Sequence, residues 1–342
     1  MTRASPWWAR DVYADRKPFL KARGKIAAAA RHFFASQGFT EVETAALQVS
    51  GGNEAHVSAL PVDLIDSAGA AQRMYLHTSP EFACKKLLAA GEEKIFTLAR
   101  VFRNRERSPL HHPEFTMLEW YRSGAPLLRL AEDCAGLLAE AASAAGARDV
   151  GWRGRLCDPY AEPRLISVTE AFAQYAGIDL PALLEDREAL AAAAGRDGIR
   201  VAVDDSWSDL FSKILSEKIE PRLGSERPDV LYDYPVSEAA LSRPSPSDRR
   251  FAERFELYVC GVELANAFGE LTDPAEQRRR FKEQAVVRRR VYGEDAPIDA
   301  DFLDALAHMP EASGIALGFD RLVMLAAGAE RIEQVLWTPV AG

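Results

Sequence analysis

Residues 100–121, RVFRNRERSPLHHPEFTMLEWY, constrain the fold most. They place four arginines, two adjacent histidines and three glutamates between alternating apolar residues. Alternation over 94–104 and again over 114–122 predicts two strands, and Pro109 and Pro113 confine the connection to a loop. On the first strand Arg100, Phe102 and Asn104 share one side, with Val101 and Arg103 on the other. On the second, Glu119 and Tyr121 share a face with Phe115 and Met117. Solvated charges on an edge hairpin are the commoner fate of such a segment. A carboxylate among aromatics, however, is costly unless a cation meets it, and a ligand ammonium would serve.

Two further segments carry chemistry. In VELANAFGEL (262–271), Glu263 and Glu270 stand seven residues apart with Asn266 between them. They converge only if the strand ends or bulges near 267–269. A converged pair suits Mg²⁺, which takes a few carboxylate oxygens together with phosphates. In GIALGFDRLVML (314–325), Gly314 and Gly318 let a backbone or a planar ligand approach closely. Arg321 falls just inside the following helix, where the helix dipole favours an anion. The plainer alternative is Asp320 as a cap with Arg321 salt-bridged to it. Guanidinium groups for phosphates, carboxylates for metal or ammonium and glycines for a flat base make one consistent set. Neither GxxxxGK[ST] nor a strand-following GxGxxG occurs.

Elsewhere the first dozen residues read as loosely ordered, followed by a helix from Phe19 to Gly38 and a short strand in FTEVET. SGGNEAH (50–56) reads as a loop. A strand at 74–77 turns at Thr78-Ser79-Pro80 into a helix with Ser79 as cap and Pro80 at its first position, running to Ala90. Helices are expected over 127–145, 168–175, 181–194, 205–219 and 275–292, and one strand over 254–268. Hairpin-like loops separate strands as often as helices do, which predicts an α+β fold with an antiparallel sheet flanked by helices.

At 342 residues and 48% hydrophobic the chain can bury a large core. Its net charge of −9 argues against gripping long nucleic acid through bulk charge. Cys84, Cys134, Cys157 and Cys260 have neither metal-ligand spacing nor a disulfide framework, and no signal peptide or membrane-length apolar run is present. A soluble, cytoplasmic protein with reduced thiols is expected.

These segments resemble the signature motifs of class II aminoacyl-tRNA synthetase catalytic domains, in their lysyl branch. FRNRERSPLHHPEFTMLEWY resembles motif 2, GIALGFDRLVML motif 3 and FTEVETAAL motif 1; TSPEFACKKLL and ERFELYVCGVELANAFGELTD are similar to lysyl-branch segments. The resemblance spans residue 19 to the C-terminus. It implies a domain over 19–342 behind an extension over 1–18, without the anticodon-binding OB domain. The chain closely resembles the stand-alone elongation factor P–lysine ligases.

The resemblance implies ATP and Mg²⁺ as cofactors, lysine or preferably (R)-β-lysine as substrate, elongation factor P as protein acceptor, a homodimer, and no stable tRNA binding. It implies that Arg103 and Arg321 hold phosphates during catalysis. Asn104, Arg105, Glu106, His111, His112, Glu263, Leu264 and Gly318 complete the ATP site. Ser79, Pro80, Glu81, Glu119, Tyr121, Asn266, Glu270 and Ala316 contact the amino acid, and Glu263 and Glu270 share the metal. Ala316 stands where tRNA-charging relatives have glycine. Three positions depart from the pattern: Arg105 for the usual glutamate, with Glu106 next to it; His112 for asparagine; and Ala45 for the motif 1 proline of the dimer interface. A tRNA-acylating enzyme and a non-catalytic nucleotide-binding paralog are the alternatives.

Overall fold

The computed structural model describes residues 6–341. Its centre is an eight-stranded sheet, in spatial order Thr40–Glu41, Lys94–Phe102, Glu114–Ser123, Ala312–Gly318, Val262–Gly269, Phe251–Val259, Asp229–Pro235 and Arg164–Ser167. The six inner strands pair antiparallel, as the hairpin pattern predicts. The two edge strands pair parallel to their neighbours.

One face of the sheet is covered by three helices, Arg10–Ser36, Leu128–Ala145 and Phe319–Ala327. Ile26, Phe34, Leu137, Leu322 and Val323 pack there on Trp120, Phe96 and Leu317. The opposite face is left for the site. Two smaller apolar clusters flank it. One joins the Glu81–Ala89 helix to Phe281 and Phe302. The other sits in the segment between motifs 2 and 3, around Phe172, Phe211 and Tyr234.

Several elements differ from expectation. The loosely ordered start lies outside the described residues only for 1–5; the first helix already begins at Arg10 and crosses the expected boundary at 18 and 19. Pro18 is therefore inside it, giving up one backbone hydrogen bond. Burial of Leu20 and the bond from Arg16 Nη2 to the Leu336 carbonyl hold that stretch against the last residues of the chain. The strand expected over 254–268 is two strands joined by a tight turn, with Cys260 at φ 56° and Gly261 at φ 73°. Helix 181–194 starts only at Arg187, because Asp186 caps it by accepting from the Ala189 N–H. The motif 1 strand is two residues long, paired parallel with Ile95 and Phe96. All four cysteines are buried and unpaired. Among the described residues no helix is long and apolar enough to cross a membrane.

Candidate active site

Cross-strand register builds the site. Glu119 stands opposite Ala316, Ala316 opposite Asn266 and Asn266 opposite Glu256, so these four form one row across four strands on the open face. The neighbouring row is Tyr121, Gly314, Phe268 and Arg254. Above them lies a cleft of about 1040 Å³ including its open mouth. Ser79, Glu81, Arg103, Glu106, His111 and His112 line one part of it. Glu263, Leu264, Asn266, Ala316, Gly318 and Arg321 line another.

At one end are the phosphate-type groups. Arg321 donates from Nη1 to the Glu263 carbonyl at 2.6 Å and from Nη2 to His111 Nε2 at 2.8 Å. Asp320 is not its partner: Arg23 and the Thr116 N–H hold Asp320 on the buried side, which leaves Arg321 to the cleft. Accepting at Nε2 makes His111 neutral, with Nδ1 2.8 Å from Ser108 Oγ. Burial, then Arg321 and Arg103, press its pKa down to about 4. Arg103 donates to the Thr78 carbonyl at 3.2 Å and packs over Phe115. His112, buried, has Nδ1 2.6 Å from the Glu114 carbonyl, and its Nε2 accepts from the Val340 N–H. It thus ties the C-terminal tail to the motif 2 loop.

Glu263 reaches this face by a bulge. Leu257 pairs with Ala265 and Tyr258 with Glu263, leaving Leu264 unpaired. The bulge is therefore at Leu264 and not at 267–269. It gives Glu263 the same facing as Asn266. Its carboxylate lies 3.5 Å from Arg321 and remains accessible inside the crowded cleft. Burial, then the Glu256 charge, raises its pKa.

The other end is closed and acidic. Glu119 is 1% exposed. Ser79 Oγ donates to one of its oxygens, and the Tyr121 hydroxyl to the other at 2.9 Å. Burial, then the Glu81 charge, lifts Glu119 to about 8 against the pull of those two donors. Ser79 Oγ also accepts from the Glu81 N–H at 3.0 Å, so it serves the helix start from one position earlier than expected, with Pro80 rather than Ser79 preceding Glu81. Glu270 sits behind this wall, its Oε2 2.7 Å from Lys85 Nζ. Lys85 also donates to Glu81 Oε1 at 2.5 Å. Burial works against the Lys85 charge, yet Glu270 and Glu81 hold its pKa above the ordinary value. A Cβ at Gly314 would collide with both Glu270 and Tyr121, so only glycine lets these two meet.

Not every expected residue joins the cleft. Arg105, at φ 64°, turns away to Glu294 at 2.7 Å and stacks on Tyr292, while its neighbour Glu106 lines the cleft. Asn104 is exposed and accepts from the Arg105 N–H. Pro80 faces a smaller adjoining hollow. Glu119, Tyr121 and Glu270 lie beneath the lining rather than in it. A metal shared by Glu263 and Glu270 is ruled out by the strand: seven residues of extended chain span about 20 Å. Glu256, next to Glu263 across the hairpin and the charge that most raises it, is the carboxylate that pairs with it instead. Two carboxylates fit Mg²⁺ when nucleotide phosphates supply the other oxygens.

Sequence reasoning missed Glu54 in the loop, Lys85, Glu256 and Arg23. Glu54 also lines the cleft, its pKa raised by burial and then by Glu81. Only Glu256 left a signal, by alternation with Arg254 and Tyr258 in a strand read as continuous.

An antiparallel sheet bearing arginines on motif 2 and motif 3, facing an acidic closed end, defines a class II synthetase catalytic domain. Residues 8–341 match the family described as tRNA synthetases class II (D, K and N), and the chain belongs to it. It is 39% identical over 338 residues to the elongation factor P–(R)-beta-lysine ligase of Haemophilus influenzae (strain PittGG), covering 98% of each chain. It is 40% identical over 319 residues to the ligase of the same name from Haemophilus ducreyi, covering 93% of this chain and 92% of that one. The ligase of that name from Proteus mirabilis is 38% identical over 326 residues, 94% of each chain.

Proposed function

We propose that this protein activates a lysine isomer, preferably (R)-β-lysine, with ATP and transfers the aminoacyl group to a lysine ε-amino group of elongation factor P. The observation that carries the reading is the polarity of the cleft. Arg103 and Arg321 stand at its phosphate end, and Glu81, Glu119 and Glu270 cluster at its closed end. The names and full-length coverage of the relatives support the acceptor.

In the first step the amino acid's carboxylate oxygen attacks the α-phosphorus of ATP. The new C–O–P bond forms as the bond to the β-phosphate breaks, and pyrophosphate leaves. The two guanidinium groups neutralise charge that grows on the phosphate oxygens. Neutral His111 accepts from Arg321 and fixes its orientation. Glu119 and Tyr121, directly beneath the lining, draw the substrate's side-chain ammonium to the closed end, which orients the carboxylate toward ATP. Glu263 and Glu256 would hold Mg²⁺, which when bound neutralises phosphate charge. In the second step the acceptor's neutral amine attacks the anhydride carbonyl, AMP leaves, and the amine's proton passes to the departing phosphate or to water.

The test is intact mass spectrometry of elongation factor P incubated with the protein, ATP and each lysine isomer. The expected result is one added lysyl mass, greatest with (R)-β-lysine. Acylation of bulk tRNA, or no ATP–pyrophosphate exchange with any isomer, would overturn the reading.

A further inference from the structure

The closed end of the cleft holds more carboxyl groups than cations. Glu81 lines it, and Glu119 and Glu270 are buried beneath it. One cation, Lys85, completely buried, sits between Glu81 at 2.5 Å and Glu270 at 2.7 Å. The contact to Glu270 Oε2 lies off the hydrogen-bond direction, so that oxygen keeps an unfilled lone pair. Among the described residues no other cation is free to help. Arg243, which also acts on Glu270, is committed to Glu253. Glu54 also acts on Glu81, but Arg103, Arg254 and Arg288 face it in turn, which leaves it out of this count. Tyr121 and Cys84 are held protonated by burial and by the carboxylates of the cluster.

We propose that Lys85 is a specificity-determining residue: an internal ammonium that cancels one of three carboxylates and leaves two for a substrate carrying two ammonium groups. Three carboxylates against Lys85 and a diamino acid balance; against Lys85 and a monoamino acid, one carboxyl has no cation and must either bind a proton or bear a buried charge. Stranding a buried charge is far more costly than losing a hydrogen bond. Lys85 touches the carboxylates and not the reacting atoms, so it acts through them. This inference rests on the proposed function and deepens it.

Counting charge gives a test that a merely structural lysine would fail. Glu81→Gln leaves two carboxylates against Lys85, which suits a substrate with one ammonium. Adding Lys85→Met to it restores two uncancelled carboxylates and removes a cation together with its partner, a change that buried pairs tolerate. The readout is kcat/KM in ATP–pyrophosphate exchange for the preferred lysine isomer, relative to its analogue lacking the terminal amine (norleucine, or β-aminohexanoic acid). We expect this ratio to fall at least tenfold in Glu81→Gln and to recover at least tenfold in Glu81→Gln/Lys85→Met, with KM for ATP held within a few-fold. Glu270→Gln, alone and with Lys85→Met, is the second pair and is read in the same way if the first does not fold. A double variant whose ratio equals or falls below that of its single parent overturns the role of Lys85. Wild-type protein inactive with every lysine isomer overturns the proposed function instead.

Discussion

Arg23, in the first helix, and Asp320, at the start of the last one, form a buried ion pair between residues 297 positions apart in the chain. Arg23 also donates to Thr116 Oγ at 2.8 Å, and Asp320 accepts from the Thr116 N–H at 2.9 Å. The pair thus fastens motif 3 to motif 2 from the core side, while the adjacent Arg321 faces the cleft. Arg23→Met strands the Asp320 carboxylate and is expected to cost about 3–5 kcal/mol. Arg23→Met/Asp320→Asn should recover part of that loss. Denaturant unfolding of the two variants checks both values.

Arg321→Ala removes a cation from the phosphate end together with its bonds to His111 and the Glu263 carbonyl. Pyrophosphate exchange should fall by on the order of 10²–10³. The thermal midpoint should move little, because Arg321 lines the cleft and belongs to none of the apolar core clusters. The two are read by exchange kinetics and by thermal scanning.

Glu119 has a pH signature of defined sign. Its folded value, about 8, lies above the ordinary carboxylate value. Its contribution to stability is therefore full below the unfolded pKa and lost as pH rises through about 8. A cationic substrate reverses this preference, because it favours the ionised form. KM for the amino acid should fall as pH rises from about 6 to 8, with proton release on binding. Glu81, Glu270, Tyr121, Ser79 and Cys84 face the same group, and Lys85 pairs with two of them, so Glu119→Gln is the control. That variant should bind the amino acid weakly and lose the slope. An unchanged slope would show that another group titrates.

Ala316 lies between Glu119 and Asn266 in register, at the floor of the cleft. Ala316→Gly opens a methyl-sized space beside the substrate's backbone. It should shift preference from β-lysine toward α-lysine by about tenfold. The check is the ratio of kcat/KM for the two isomers.

Much of this was legible in the chain because it is local. The strand–loop–strand of motif 2 follows from alternation and two prolines, and the turn from Gly318 into the last helix from its glycine and its periodicity. Arg103, His111 and Arg321 were legible as candidates through the resemblance of their segments to motifs 2 and 3, since a charged strand taken alone is more often solvated. Glu263 and Glu270 were legible as residues but not as partners. Their facing depends on a bulge at Leu264, which is set by pairing with Leu257 and Tyr258 and by nothing in the local pattern.

The sequence by itself determined the elements, the antiparallel sheet and the list of charged groups available for chemistry. Tertiary structure decided which charges face one another and which are cut off from water. Lys85, one of a lysine pair on a short helix, carries no local signal of burial, yet it is completely buried between two glutamates. Arg105 reads as a nucleotide ligand, yet it turns to Glu294. The reason is that burial and pairing of charge are properties of segments brought together from far along the chain. No short-range periodicity encodes them.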